Sequence, residues 1–465
     1  MNQPRIHTSW YIVADIVGAL FTWLLFYYLR TVIYDYPFSV PPGFYAGALL
    51  YVLGWLSLHL LSGAYEAIYQ KSTITEIFRT LIVSLMGCFV LLFFFILKNP
   101  QENNENYYLE FYSLLLPVFV VTLVIRLFFL KLSGTQLKKE KVFFKVLLIG
   151  SGKSATSFFN SFIKTNENTG YKISSFLNIN GNHGLELPEE IKKYNDLTKL
   201  YEIIAADKIE EVIITVEKTE RALLTKILQQ LSDKDVNIKI TPDAVDIISG
   251  AVQTSNVMGV PLIDVHSGLL PSWQKNIKRF VDLFISITAS VLLLPVLIYT
   301  AVRTKFSSKG PVLYGQERVG YKGIPFTIYK FRSMIEAAEK DGPMLSTDDD
   351  SRVTGWGKIM RKWRLDELPQ LWNIIKGEMS LVGPRPERKF YVLQIVEQHS
   401  EYNYLFKVKP GLTSWGMVKF GYASSVEEMI QRMPYDLMYV ENISLLLDLR
   451  IMILTLVILL KGEGK

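Results

Sequence analysis

Two adjacent carboxylates, Asp366 and Glu367, open a stretch that runs WRLDELPQLWNIIKGEMSLVGPRPE and closes on Arg385 between Pro384 and Pro386, with Glu387 directly after. A carboxylate can attack a phosphoryl group to give an acyl phosphate, splitting one difficult transfer into two steps. Arginine's planar fork offers paired donors to phosphate oxygens, and flanking prolines fix the backbone that aims it. Adjacent carboxylates also suit a divalent cation, which offsets charge on transferring oxygens. The residue types therefore point to metal-assisted phosphoryl chemistry. Singly, each has a plain alternative. Asp366 is placed to cap a helix predicted over Leu368–Ile375 and ended by Gly377. Lys330 and Arg332 in IYKFRSM could be the solvated face of a strand, Arg385 a structural arginine on a turn, and Lys409-Pro410-Gly411 a simple turn.

The elements that must carry these residues follow from composition. At 465 residues the chain is too long for one core and suggests roughly three domains. Apolar residues make up 49% and mean hydropathy is +0.21, yet 20% of residues are charged, so hydrophobicity must be concentrated in segments. Four such segments fill the first third: Trp10–Leu29, Phe44–Leu61, Ile77–Leu97 and Phe111–Leu132. With four crossings, Arg5, Lys71, Arg79, Lys131, Lys138, Lys139, Lys141 and Lys145 share one side, leaving Arg30 and Lys98 on the other, which puts both ends of the bundle in the cytoplasm. Asp15 and Arg126, the isolated internal charges, are expected to snorkel or pair between helices. The first apolar run lacks a cleavage site of the signal-peptide kind. Cys88 is the single cysteine, which excludes an intrachain disulfide or a cysteine metal site. The modest net charge of +6 clusters near the apolar segments and favours anionic headgroups, with no nucleic acid as partner.

Residues 142–267 change period. Short β-branched runs (KVLLIG, EVIITV, NIKIT) alternate with helical patterns, as in a small doubly wound α/β domain with a parallel sheet. Gly150-Ser-Gly152-Lys-Ser-Ala155 satisfies G-x-G-x-x-A after the first strand. The second strand, however, ends in Asn178 and Asn180 where a ribose-binding acid would stand, so a tightly packed turn without a dinucleotide is the expectation. A fifth apolar segment, Phe280–Val302, is basic at both ends: Lys275, Lys278 and Arg279 precede it, and Arg303, Lys305 and Lys309 follow. Both ends therefore want the cytoplasm, and Pro295 offers a break where the chain turns back. A re-entrant helix over residues 278–303 is predicted, with Lys278 and Arg279 anchoring it to lipid phosphates and Asp282 near the same surface. The last apolar run, ISLLLDLRIMILTLVILL, is interrupted by Asp448 and Arg450 and reads as an amphipathic helix in the membrane interface.

In order, the motifs GQERVG (Gly315–Gly320), YKFRSM (Tyr329–Met334), RLDELPQLWNIIKGEMSLVGPRPE, KPGLTSWG (Lys409–Gly416) and YDLMYVENISLLLDLRI (Tyr435–Ile451) closely resemble the bacterial sugar transferases of the monotopic phosphoglycosyl transferase superfamily. With four leading helices and an α/β domain, the chain is similar to the large members, the polyprenyl-phosphate hexose-1-phosphate transferases of exopolysaccharide and O-antigen initiation. The resemblance implies a four-helix transmembrane domain (residues 1–135), a Rossmann-like α/β domain (142–267), and a mixed α/β monotopic catalytic domain with its re-entrant helix (272–465). It implies transfer of a sugar 1-phosphate from a UDP-sugar to undecaprenyl phosphate with Mg2+, releasing UMP, at the bacterial inner membrane, by a homodimer. Asp366 matches the family nucleophile and Glu367 the second member of the dyad, with both offered to the metal. Arg385, then Lys330 and Arg332, are the expected phosphate-binding cations. Glu387 is expected as a second metal or orienting carboxylate, and Arg318 and Asp436 lie in family-like motifs without an assigned role. Many members read T-G-W-A-Q-V-N-G-R where this chain has Thr413-Ser-Trp-Gly-Met-Val-Lys-Phe-Gly421, which leaves sugar choice open. A membrane-bound NAD-dependent nucleotide-sugar dehydratase or epimerase would need Tyr-x-x-x-Lys in the α/β domain, and Tyr171, Tyr194 and Tyr201 all lack the lysine.

Overall fold

The computed structural model describes residues 3–35, 37–40, 42–98, 104–150, 152–165, 170–179, 188–215, 221–231, 236–241, 254–255, 262–264, 270–335, 342, 344–345 and 350–460. Helices α1 (Thr8–Tyr34), α2 (Phe44–Leu61), α3 (Thr73–Lys98) and α4 (Asn104–Lys138) are each long and apolar enough to cross a membrane. Aromatic side chains fill the bundle interior, Trp23 and Phe26 of α1 meeting Tyr51 and Trp55 of α2, while Leu20, Phe21 and Leu24 face outward. Asp15 and Arg126 pair between helices as expected, Nη2 to Oδ2 at 2.8 Å, and Tyr65 donates its hydroxyl to the same oxygen at 2.8 Å. In hydrocarbon an unpaired charge costs several kcal/mol, so this pairing is what lets α1 and α4 carry charges at all.

The α/β unit begins at β1 (Phe144–Gly150), followed by α5 (Gly152–Thr165), β2 (Tyr171–Asn178), β3 (Lys192–Tyr194), α6 (Leu200–Asp207), β4 (Glu211–Thr215), α7 (Arg221–Leu231), β5 (Asn237–Ile240), β6 (Thr254–Ser255) and β7 (Leu262–Asp264). The sheet runs in the order β3-β2-β1-β4-β5-β7-β6, parallel through β5 and antiparallel beyond it. Alternation along β1 divides its residues between two cores. Val146 and Leu148 pack with Phe158 and Phe162 of α5, and Leu147 and Ile149 pack with α6 and α7. Gly150 ends β1 against Thr215: a Cβ there would lie 2.1 Å from Thr215 Oγ1 and 3.1 Å from the Ala155 methyl. The first glycine of the G-x-G-x-x-A run is thus required by packing. Ser151, Asn180, His266 and Ser267 lie outside the described residues.

The α/β unit sits on one end of the bundle. Arg5 binds Glu210 at 2.7 Å and donates to Phe143 O, and Gln70 from the α2–α3 connection reaches Glu211 at 3.4 Å. Arg5 and the 68–70 turn therefore share the side of the sheet, in line with the basic residues that the sequence grouped together.

The fifth apolar segment is two helices, α8 (Ser272–Leu292) and α9 (Leu294–Ser307), bent by 64°. The break falls at Leu293, two residues before Pro295, rather than at the proline itself. Proline fits the first turn of α9, where its missing N–H has no helical partner to lose. Phe280, Phe284, Val291, Leu292, Leu294 and Ile298 project outward around the bend. Near its start, Asn276 bonds Leu60 O at the end of α2 at 2.7 Å.

Beyond the bend come the antiparallel hairpin β8 (Leu313–Val319) and β9 (Pro325–Phe331), then α10 (Gly355–Lys362), α11 (Gln370–Lys376), β10 (Ser380–Val382) and α12 (Lys389–Gln398). The chain finishes with β11 (Gly411–Thr413), parallel to β10, and α13 (Trp415–Lys419), α14 (Val426–Glu441) and α15 (Leu445–Leu460). One core joins them, with Ile374, Met379, Ile395, Met433, Tyr439 and Ile451 at its centre. Helix α15 inverts the pattern of a soluble helix. Its Asp448 is buried against Lys278 (2.6 Å) and Tyr439 (2.8 Å), while Leu446, Leu449, Ile453 and Leu456 are exposed.

Candidate active site

The carboxylate pair is presented by a short irregular turn. Helix α10, capped by Thr354 accepting from Gly357 N at 2.9 Å, ends at Trp363. Arg364 then takes a left-handed conformation (φ +56°), and Leu365–Glu367 form a single tight 3-10 turn. Pro369 starts α11, which Gly377 ends at φ +89°. Asp366 therefore precedes the helix by a full turn and accepts no capping bond, so its expected role as a helix cap is corrected. The turn points it into the site instead.

Two further elements bring cations to the pair. Lys330 comes from β9, which is held to α11 by the fully buried Asn373, donating to Thr327 O at 2.7 Å and accepting from Tyr329 N at 3.2 Å. Arg385 comes from the Pro384–Pro386 turn after β10. Glu367 Oε1 receives Lys330 Nζ at 3.1 Å, Arg385 Nη2 at 3.4 Å and Arg364 Nη1 at 3.5 Å. Burial opposes ionisation of Glu367, but the Lys330, Arg385 and Arg364 charges outweigh it and hold its carboxyl well below the usual range. Asp366 goes the other way. Burial and the neighbouring Glu367 charge push its carboxyl up, against the pull of Lys330, Arg364 and Arg361. Its Oδ1 is buried and has no hydrogen-bond partner. The site therefore holds one carboxylate with three cations gathered on one of its oxygens and, beside it, a more basic carboxylate with a bare oxygen.

Among the described residues, no group of three or more His, Cys, Asp and Glu side chains converges to cage a metal. The residues present still fit Mg2+ in the manner that cation prefers, one or two carboxylates completed by substrate phosphates and water. The Asp366 oxygen without a partner and the adjoining Glu367 are the carboxylates that would hold it.

The remaining candidates divide. Glu387, Arg318 and Asp436 form a second, closed cluster: Glu387 accepts from Arg432 at 2.8 Å on Oε1 and from Arg318 at 2.9 Å on Oε2. Both of its oxygens are taken, which leaves no ligand for a metal. Burial raises the Asp436 carboxyl, whose Oδ1 accepts from Gly416 N at 2.9 Å and so fixes the start of α13. Arg318 also donates to Pro386 O at 3.1 Å, locking β8 to the arginine turn. Arg332 is not brought to the pair: it donates to Pro311 O and, at 2.6 Å, to Ser308 O, closing the loop after α9. Lys278 and Arg279 also depart from expectation as lipid-phosphate anchors. Arg279 donates to Ile374 O and Ile375 O at 2.7 and 2.9 Å, satisfying the C-terminal carbonyls of α11, and Lys278 bonds Val382 O at 2.9 Å as well as Asp448. With Asp282 accepting from Leu381 N at 3.0 Å, they tie the bent helix to the unit that carries Asp366.

Sequence reasoning missed Arg364, Asn373, Tyr422 and Arg432. Arg364 stands directly before the carboxylate pair and could have been noticed. The others carry no local signal, because their partners lie on distant elements.

A family model described as bacterial sugar transferase matches residues 273–462, which include α8 to α15 and every residue around Asp366. The uncharacterized sugar transferase EpsL of Bacillus subtilis is 38% identical over 192 residues, 40% of this chain and 89% of that protein. The chain belongs to the bacterial sugar transferase family. A second model, described as a CoA-binding domain, matches residues 61–242 across α3, α4 and most of the α/β unit. The UDP-N-acetylgalactosamine-undecaprenyl-phosphate N-acetylgalactosaminephosphotransferase of Aeromonas hydrophila is 42% identical over 42% of this chain and 47% of its own length. The UDP-glucose:undecaprenyl-phosphate glucose-1-phosphate transferase of Escherichia coli K12 is 34% identical over 56% of each chain. The chain thus spans about half the length of these curated relatives. Among solved structures, UDP-D-quinovosamine 4-dehydrogenase from Vibrio fischeri aligns at a TM-score of 0.20 and 16% identity, over 27% of this chain and 96% of that one, too low a likeness to bear on the fold.

Proposed function

We propose that the protein transfers a hexose 1-phosphate from a UDP-sugar to undecaprenyl phosphate, releasing UMP, by a ping-pong mechanism through Asp366. The observation that carries this reading is the buried, basic and bare oxygen of Asp366 beside a Glu367 whose Oε1 gathers three cations. In the first step the Asp366 carboxylate forms a bond to the sugar-bearing phosphorus, and the bond from that phosphorus to the bridging oxygen breaks. UMP leaves with the oxygen, and a phosphosugar-aspartyl acyl phosphate remains. In the second step an oxygen of undecaprenyl phosphate attacks the same phosphorus, and the bond to Asp366 breaks with its electron pair. Asp366 is regenerated and the lipid carries a diphosphate-linked sugar. Arg385 and Lys330 counter charge on the phosphoryl oxygens, while Glu367 holds those cations in place. Mg2+, held by Asp366 and Glu367, would supply further charge neutralisation.

The names of the relatives support a UDP-hexose or UDP-N-acetylhexosamine donor and undecaprenyl phosphate as acceptor. The same reading takes α8 and α9 as a re-entrant helix at the cytoplasmic face of a bacterial inner membrane, which places Asp366 at headgroup depth; the 64° bend, the exposed apolar side chains around it and the basic residues at both ends support it. It takes the α/β unit as Rossmann-like from its strand order and its helices on both faces, and divides the chain at residues 1–135, 142–267 and 272–465 from their separate cores. A homodimer belongs to it by family resemblance.

The test uses full-length protein in membranes without undecaprenyl phosphate. Label in the sugar of the UDP-sugar should remain on the chain, map to Asp366 and be released by hydroxylamine, with UMP formed in equal amount. UMP release without any protein-bound label would overturn the two-step mechanism. Lys309→Cys should react with an impermeant maleimide only from the cytoplasmic side; labelling from the other side would mean that α8 and α9 span the membrane.

A further inference from the structure

We propose that Tyr422 is a positioning residue whose ring holds the guanidinium groups of Arg364 and Arg385 around Glu367 while leaving Asp366 open to a phosphoryl group. The inference rests on the transferase reading above. The guanidinium carbon of Arg364 lies 3.6 Å from the centroid of the Tyr422 ring, and that of Arg385 lies 4.9 Å from it. Both arginines also converge on one oxygen, Glu367 Oε1, at 3.5 and 3.4 Å. Two like charges meeting at a single acceptor repel, and at these lengths the carboxylate does not fix either fork on its own. Lys330 approaches closer, at 3.1 Å, and occupies the best position on that oxygen.

The ring meets the need that remains. Its face is electron-rich and attracts both cations, yet it offers no acceptor to compete with phosphate oxygens for their N–H groups. Arg385 also donates to Met417 Sδ, at 3.6 Å, a weak acceptor that likewise leaves the donors available. Burial, helped by the Glu367 charge, lifts the Tyr422 hydroxyl to about 12, so the side chain stays a neutral ring at any working pH. Arg364 is held in a left-handed backbone conformation, and its guanidinium stacks on the Tyr422 ring. Tyr422 arrives on the connection between α13 and α14, so this connection, remote in sequence from the arginine turn, decides where two of the site's charges stand.

The experiment compares full-length Tyr422→Phe, Tyr422→Leu and a series with one, two and five fluorines on a phenylalanine at 422, in membranes, by UMP release. Tyr422→Phe should keep kcat within about threefold, and Tyr422→Leu should lower it by about tenfold or more with a smaller change in KM. Across the fluorinated series, which changes ring charge at nearly constant shape, kcat should fall as fluorines are added. A kcat indifferent to fluorination, or a leucine variant equal to the phenylalanine variant, overturns the proposal. Phenylglyoxal labelling of Arg364 and Arg385, read by mass spectrometry, needs no turnover: it should accelerate in Tyr422→Leu and not in Tyr422→Phe, and equal rates overturn the proposal. If labelling shifts while the unmodified protein releases no UMP, the transferase reading fails and the positioning role stands.

Discussion

Asp366 and Glu387 lie in the same short stretch and are almost equally buried, at 7% and 4% exposure, yet their surroundings are opposite. Glu387 gives each oxygen an arginine, and although burial opposes its charge, Arg432 and Arg318 hold its carboxyl below the usual range. Asp366 keeps one oxygen bare and is pushed above it. A buried polar atom without a partner costs about 1–3 kcal/mol. Satisfaction of the oxygens, more than burial or neighbouring charge, separates the carboxylate that builds the site from the one that acts in it. Asp15 in the bundle combines the two: Arg126 and Tyr65 share its Oδ2, while its buried Oδ1 has no hydrogen-bond partner.

The largest effect that can break this contrast is Asp366→Asn. Turnover should fall by at least about 10^3-fold, while the unfolding temperature at neutral pH rises. The sign follows from the raised carboxyl: such a group contributes stability when protonated and loses it as pH rises through the folded value, so removing the charge helps at neutral pH and the advantage closes in acid. Near-normal UMP release by this variant would end the nucleophile assignment. Glu387→Gln should do the reverse, lowering stability by about 3–5 kcal/mol because Arg318 and Arg432 lose their shared partner. With its carboxyl depressed in the fold, Glu387 loses its contribution as pH falls through the folded value, so here too the difference from wild type narrows in acid, from the opposite side. Thermal unfolding between neutral and acid pH reads both. Arg385→Lys should lower kcat/KM by about 10^2-fold, since a point charge replaces a fork. The smallest effect is a shift: Glu367→Gln removes the negative neighbour that raises Asp366, so the acid limb of its residual kcat/KM profile should move to lower pH.

Much of this was legible in the residues. Four apolar runs became four helices because the bilayer leaves few alternatives for such segments, and the β-branched runs after Val142 became parallel strands for the same reason of two-sided burial. The break near Pro295 was legible, though it falls at Leu293 because proline is welcome in a first helical turn. The errors concern partners. Lys278 and Arg279 read as free basic residues at a membrane end, and only the fold shows the carbonyls of α11 and β10 that claim them. Arg332 shares the strand parity of Lys330 but lies one residue past the end of β9, where the carbonyls of Pro311 and Ser308 claim its guanidinium. Glu387 sits one residue from the arginine turn but is claimed by Arg432, 45 residues away.

By itself the sequence determined which segments are apolar, where the period changes, and that a carboxylate pair and a proline-flanked arginine share one stretch, since these depend on residue type and local spacing. Tertiary structure decided which of those carboxylates keeps a bare oxygen. That depends on partners supplied by β9, by α14 and by β8, and the reach of a side chain is fixed by folding rather than by distance along the chain.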